Sequence, residues 1–476
     1  MRIPLTSGAN STRSKIAGTG RMVNLYAEVN PDGSPAPVTY YGTPGLLLWA
    51  TVPGSGPMRL EYVTSTGTFF AVRGNTLYRY LSGAWLTLTT LATSVGPMMA
   101  ADNGLQAVFV DGTTVAPIVA LDTYAVTTMS GDGWFGSSFI FFVNGRFVFI
   151  KPNTQQFYWT GLYMTTIDPL DFASAEGSPD KIVSGVVDHL ELWLFGPTSV
   201  EIFYDSGDSN APFARMQGAF NEVGCSAPFS VNRLDNTIYW LGRDRNGGNM
   251  VFRAQNYQPG RVSNHAMEAE IAGYGPIDDA FSWTYQQDGH SFYVLTFPSA
   301  GKTWCFDVAN GLWHEREHRR DDNEVTRHRA NCHAYFAGKN LVGDFENGNI
   351  YALDLDTYTD NGAVILRLKD FPHITNSGYR QFFRQFVLDC QVGVGNSGLS
   401  VSGESDPEIW MSWSDDGGNT WSSTLTQKLG KIGEYWQRVQ WNRLGMGRDR
   451  IFRIGTTANA KIAMQGAFLE AQSGTS

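Results

Sequence analysis

Charge is scarce in this chain. Asp, Glu, Lys and Arg make up 17% of its 476 residues, too little for the solvated faces of long helices, which argues against an all-α or coiled-coil protein. Basic residues are the rarer sign: 35 Lys and Arg against 45 Asp and Glu give a formal charge of −10. That balance offers no overall attraction to phosphate backbones, and no DNA-binding motif accompanies it. Cysteine is scarcer still. Cys225, Cys305, Cys332 and Cys390 are far apart and form no C-x-x-C pair, so neither a disulfide scaffold nor a zinc ribbon is expected. Long apolar runs are missing too: Phe139 to Val143 and Phe147 to Ile150 are split by Asn144, Gly145 and Arg146, far short of the ~20 residues of a spanning helix. Met1 to Asn10 lacks the apolar stretch of a signal peptide. No G-x-S-x-G, phosphate-binding loop or dinucleotide fingerprint is found.

What the chain does have is glycine and aromatics, 52 Gly and 13% Phe, Tyr and Trp, within 42% hydrophobic residues. Such a mixture builds short strands joined by tight turns. Phe69 to Val72 leads through Gly74-Asn75 into Leu77, Tyr78 and Tyr80; Asp235-Asn236 leads into Ile238 to Leu241; Ser137 to Val143 leads through Asn144-Gly145 into Phe147 to Ile150. Each reads as a β-hairpin, because Asn and Gly accept the positive φ of a two-residue turn. These units recur at roughly 40 to 50 residues, the length of a four-stranded propeller blade, which predicts about six or seven degenerate blades. One large β-sandwich with long meanders is the competing architecture. The polar stretch Asp354 to Gly362 marks a boundary, and further strand patterns follow it. The expectation is an all-β chain: residues 1–50 an extended segment packing on the propeller or on a neighbouring subunit, 51–360 a β-propeller, and 361–476 a C-terminal β-sandwich.

Four constellations could carry chemistry. His314-Glu315-Arg316-Glu317-His318 matches the zincin motif H-E-x-x-H, which needs a helix to bring both histidines to one metal. Its setting reads as strand, Asn310-Gly311 turn and strand instead, so no catalytic zinc is expected. His318, His328, Cys332 and His333 fit no standard zinc spacing either. Ser414, Asp416, Gly418, Thr420 and Trp421 form an Asp box, S-x-D-x-G-x-T-W, in which Ser and Asp cap a tight hairpin and Trp packs beneath it. That is a folding device. Arg316, Arg319, Arg320, Arg327 and Arg329 alternate with acidic residues such as Glu317 and Glu324; they form either a solvated loop or a subunit or partner interface. No catalytic residue, metal or cofactor is called for.

Arg21-Met22-Val23-Asn24-Leu25-Tyr26-Ala27-Glu28, followed by Tyr41-Gly42-Thr43-Pro44-Gly45-Leu46, resembles the opening of the tail-hub, or nozzle, proteins of short-tailed bacteriophages, which are also described as packaged-DNA-stabilisation proteins. Gly196 to Tyr204 and the hairpin from Phe306 to Arg316 agree with it. The resemblance implies a structural virion protein in the tail, assembled in the host cytoplasm. It further implies a hexameric homo-oligomer ring below the portal and an adaptor, with a tail fibre, spike or needle as a further partner, through which genomic DNA passes without sequence-specific contact. A receptor- or glycan-binding β protein and an Asp-box glycosidase are the rivals.

Overall fold

The computed structural model describes residues 2–4, 8–11, 14, 19–209, 211–320, 322–395 and 405–474. Strands dominate. Among the described residues the one α-helix is His265–Ala272, whose first turn is capped by Asn264 accepting from the Met267 N–H at 2.9 Å.

Between residues 45 and 354 the strands form seven antiparallel blades in chain order. Blade 1 runs Met58–Val63, Phe69–Arg73, Thr76–Leu81 and Ala84–Thr90; blades 2 to 6 occupy 99–128, 140–174, 184–215, 223–261 and 281–315. The turns are those expected: Asn144 and Gly145 sit at φ 51° and 77°, and Asp235 and Asn236 at 50° and 59°, the paired positive values that keep a two-residue hairpin in step with strand twist. Each blade packs its apolar faces on its neighbours. Phe70, Val72 and Leu77 of blade 1 meet Ala107, Phe109 and Val119 of blade 2, and the seam of blade 7 with blade 1, Leu341 and Ile350 on Met58 and Phe69, completes the circle.

Closure is made by the front of the sequence. Blade 7 has three strands from residues 330–354, and its outer strand is Gly45–Thr51, antiparallel to Asn349–Asp354. A ring sealed this way has no free edge at the joint.

The sandwich is also built from both ends. One sheet runs Gln440–Asn442, Gln381–Cys390, Ala463–Ser473, Val38–Gly42 and Leu25–Val29, with Arg2–Pro4 also paired to Ala463–Ser473. The other contains Arg367–Asp370, Asp449–Thr456, Glu408–Ser414 and Leu425–Lys428. Met22–Val23 pairs with Arg367–Asp370 on one side and with Leu312–Glu315 of blade 6 on the other. The second sheet and blade 6 are therefore one hydrogen-bonded surface. A single core follows the same path, from Tyr239, Tyr293 and Trp313 in the propeller to Tyr40, Phe386 and Phe452 in the sandwich.

Two expectations are corrected here. The described part of residues 1–50 is not one extended segment packed on the propeller or on a neighbouring subunit: Leu25–Val29 and Val38–Gly42 are strands of the sandwich and Gly45–Thr51 is a strand of blade 7. The boundary expected at residue 361 falls slightly later, since Ala363–Val364 pairs with Thr359–Asp360 and so still belongs to the sheet of blade 7, with Asp360 beside Leu46.

Candidate functional site

The arginine cluster lies on the connection from blade 6 to blade 7, where Glu317–Arg319 and Val325–Arg327 form a small hairpin. It is not one exposed loop. Arg316 is 2% exposed; its Nε donates to His314 Nε2 at 3.2 Å and its Nη2 to the Tyr285 hydroxyl. Arg327 is buried over the Phe345 ring at 3.9 Å and donates to Asn331 Oδ1. Arg329 donates to Asp344 Oδ2 at 2.7 Å, and its Nη2 lies 3.3 Å from Glu346. Those three are structural, because a guanidinium taken out of water must find its acceptors in the chain.

Arg319 and Arg320 remain at the surface, half-buried, on either side of the hairpin. Arg320 pairs with Glu324 and Glu346 and lines a cleft of about 680 Å³ with His318, Arg329 and Asp360. Arg319 lines a second cleft, of about 530 Å³, with Arg21, Lys302, Glu317, Trp410 and Arg453.

This second cleft is the seam between propeller and sandwich, and its ion pairs were not visible in the sequence. Arg21 donates from Nε to Glu315 Oε1 at 2.9 Å and from Nη2 to Glu315 Oε2 at 2.6 Å, and stands 3.5 Å from Glu317. Its backbone N–H donates to Asp370, which also receives both arms of Arg453 at 2.6 and 2.8 Å. The Arg453 guanidinium lies 3.6 Å from the ring centre of Trp421. Blade 6, the front strand, the sandwich and the Asp box are thus tied by one chain of charge.

The Asp box has the geometry the motif requires. Ser414 Oγ donates to Asp416 Oδ1 at 2.7 Å and accepts from the Gly418 N–H at 2.7 Å; the N–H and hydroxyl of Thr420 reach Asp416, the hydroxyl at 2.6 Å. The Thr420 and Ser414 hydroxyls hold the Asp416 carboxyl well below the usual carboxylate range. Trp421 departs from expectation. It is half-buried on a guanidinium rather than packed beneath the hairpin, so Trp421→Ala should cost about 1 kcal/mol, the scale of a partly exposed cation–π contact. Asp416→Ala should lower the melting temperature by opening the turn. Thermal melts of both variants check this; a loss of glycan cleavage at unchanged stability would make the Asp box part of an active site.

The H-E-x-x-H residues form no helix. His314 is on Leu312–Glu315 and His318 on Glu317–Arg319. His318 Nδ1 faces Asp360 at 3.1 Å and its Nε2 faces Arg329 at 3.1 Å. His328 Nδ1 accepts from the Ala330 N–H, and His333 Nε2 lies 3.1 Å from Asn340 Oδ1. Among the described residues no group of three or more His, Cys, Asp or Glu is placed to hold a metal ion.

The buried histidines do make stability depend on pH. Burial, then repulsion from Arg316, holds His314 and His328 well below their ordinary values, and burial lowers His333 to about 4. With the folded values below the unfolded one, the unfolded chain takes up protons first. Stability is full above about pH 6.5 and falls toward the folded values by up to ~1.4 kcal/mol per pH unit for each histidine. Glu61, Glu270, Glu317 and His290, whose values are raised, act in the opposite sense. The informative quantity is therefore a difference. His333→Gln, although it loses the stacking on Trp283, should show a shallower loss of unfolding free energy between pH 7 and 5 than the parent, read by denaturant titration at each pH.

The fold and its seam define a structural β-propeller closed by its own front strand and fused to a β-sandwich. Two family models match: "Bacteriophage P22 Gp10, beta-propeller" over residues 1–358 and "Bacteriophage P22 Gp10, beta-sandwich" over residues 367–472. The chain belongs to the bacteriophage P22 Gp10 family of tail-hub proteins and is a phage tail structural protein. No curated protein sequence matches it. Similar solved structures include the WD40 β-propeller domain of Doa1, at 12% identity over 65% of this chain and 96% of that one with a TM-score of 0.39. The N-terminal domain of Nup159 matches at 10% identity over 69% and 98%, also with a TM-score of 0.39. Scores this low add nothing to what the strand pairing already gives.

Proposed function

We propose that the chain forms the nozzle ring below the portal and adaptor of a short-tailed phage, retains the packaged genome and conducts it outward at ejection. Membership of the Gp10 family across both domains carries the reading. A hub is loaded along its axis, and blade 6 continues through hydrogen bonds into the sandwich, which resists shear between the two units. A conduit also has to release what it guides. The net charge of −10 suits a wall that repels phosphate, because each tight phosphate contact would add a salt-dependent hold against sliding. The ring is a homo-hexamer that meets the adaptor on one side and a fibre, spike or needle on the other. The enzymatic rival is disfavoured because both carboxylate oxygens of Asp416 are engaged in its own turn.

Electron microscopy of the particle tests the reading: a six-fold collar with an axial channel is expected, and an isolated monomer that cleaves a glycan would overturn it. The part of the arginine cluster left at the surface, Arg319 and Arg320, is assigned to the adaptor contact. Arg319→Glu with Arg320→Glu should reduce attachment to the adaptor more than DNA retention within assembled particles, measured by pull-down and by DNA release. Variants that attach normally but leak DNA would refute that assignment.

A further inference from the structure

Two exposed apolar surfaces have no covering partner among the described residues, and they carry opposite charge. The first is the loop from Gly161 to Phe172 on the outer strands of blade 3. Leu162, Tyr163, Met164 and Leu170 are between 55 and 82% exposed. The loop is nonetheless held firmly. Tyr163 has φ 53°, an unusual value for a large side chain, fixed by its N–H donating to Gly145 O at 2.6 Å and by its ring packing on Phe142. Strained backbone beneath an exposed aromatic is a pattern of binding sites, where the cost of ordering is met in advance. Asp168 and Asp171 flank these side chains, and their mutual repulsion adds to burial in raising the Asp171 carboxyl.

The second surface lies on the sandwich, where Gln381–Cys390 pairs with Met446–Gly447. Phe382 is directly opposite Met446, and Tyr379 stands beside them, each about half exposed. Arg380, Arg384 and Arg448 surround them and are exposed. Arg384 donates to Gln472 Oε1 at 2.5 Å and has one loose ion pair, 3.8 Å from Glu470, and Arg448 bonds to the Gly378 carbonyl.

Each patch offers on the order of 300 to 500 Å² of apolar surface, near the upper end of what a monomer leaves uncovered and a large share of the ~800 Å² that each partner gives to a stable interface. One is apolar with carboxylates, the other apolar with guanidiniums. Their placement matters as much. In a closed circle of seven blades, blade 3 lies across from the joint of blades 6 and 7, the side on which the sandwich is attached. A surface and its complement on opposite sides of one molecule cannot pair two-fold; they join head to tail, and such contacts form a ring where the rotation from copy to copy closes and a filament where it does not.

We infer that the blade 3 loop of one copy docks on the arginine–aromatic face of the sandwich of the next, and that this is the repeating contact of the ring. The inference rests on the ring reading above and names the surfaces that build it. The partner is a second copy of this chain. Carboxylate–guanidinium pairing fixes its register and steers encounter, while the aromatic and aliphatic side chains supply the buried area.

Sedimentation of the purified full chain tests it with four variants. Arg380→Glu with Arg384→Glu, and separately Asp168→Lys with Asp171→Lys, should each weaken self-association at least about tenfold, because like charges then face each other across the contact. All four substitutions together should restore it. Leu170→Ser, at a side chain that contributes little to folding, should weaken assembly with an unchanged melting curve. If the parent forms rings and the variants do so equally well, or if the fourfold exchange fails to rescue assembly, the surfaces are wrong and the ring reading stands. A parent that stays monomeric at every concentration overturns both.

Discussion

Replacing Arg21 with Met should cost about 3 to 5 kcal/mol of folding stability, the scale set by breaking a buried ion pair and leaving its partner charged. Glu315 and Glu317 are both under a tenth exposed, Glu270 is close enough to raise their repulsion, and Arg21 is the cation that reaches both. Burial already holds the Glu317 carboxyl above its usual range. Without Arg21 the Glu317 value rises further, so the native variant takes up a proton that the unfolded chain does not. By linkage its stability is lost as pH rises. The deficit against the parent should therefore be larger at pH 8 than at pH 5. Denaturant midpoints at the two values decide the matter; an equal deficit at both would mean that lost packing, and not unpaired carboxylates, explains the cost.

The larger effect is expected from deletion. Removing residues 1–51 takes the outer strand from blade 7 and four strands from the sandwich, Met22–Val23 that joins it to blade 6 among them, and with them Leu25, Tyr40 and Leu46, all fully buried. Burying one such side chain contributes about 1.5 to 3 kcal/mol, and a domain has only some 5 to 15 kcal/mol in hand. The shortened chain should fail to show a cooperative melt and should aggregate through its opened edges. A soluble product with a single sharp transition would show that the ring closes without this strand.

What could be read in the sequence was what is local. The hairpin at Asn144-Gly145 announces itself because the two turn residues are neighbours with the conformational freedom the turn needs. The Asp box is legible for the same reason, as Ser414, Asp416, Gly418 and Thr420 make their contacts with one another. Closure of blade 7 was not legible. Gly45–Thr51 meets Asn349–Asp354 across some three hundred residues, and such pairing leaves no trace in either segment's pattern. The arginine cluster was legible only in part. Its alternating signs suggested a solvated or contact loop, yet Arg329 is answered by Asp344 and Glu346, and Arg316 by Tyr285, partners outside the segment itself. Trp421 was misjudged because the motif specifies a hairpin but not what lies under it; here that is Arg453.

The pairing of Arg2–Pro4 with Ala463–Ser473, and of Gly45–Thr51 with Asn349–Asp354, governs the order of events during synthesis. Segments translated early wait for partners translated late, and contacts of such long range are slow to form. The propeller holds both of its closing strands once residue 354 has emerged, whereas the sandwich cannot seal while Ala463–Ser473 is still inside the ribosome. A copy that terminates before residue 463 keeps unpaired strand edges in the sandwich, at Arg2–Pro4, Val38–Gly42 and Gln381–Cys390, and is a substrate for proteases and chaperones. The propeller can thus close first and the sandwich last, an order of events written into strand pairing alone.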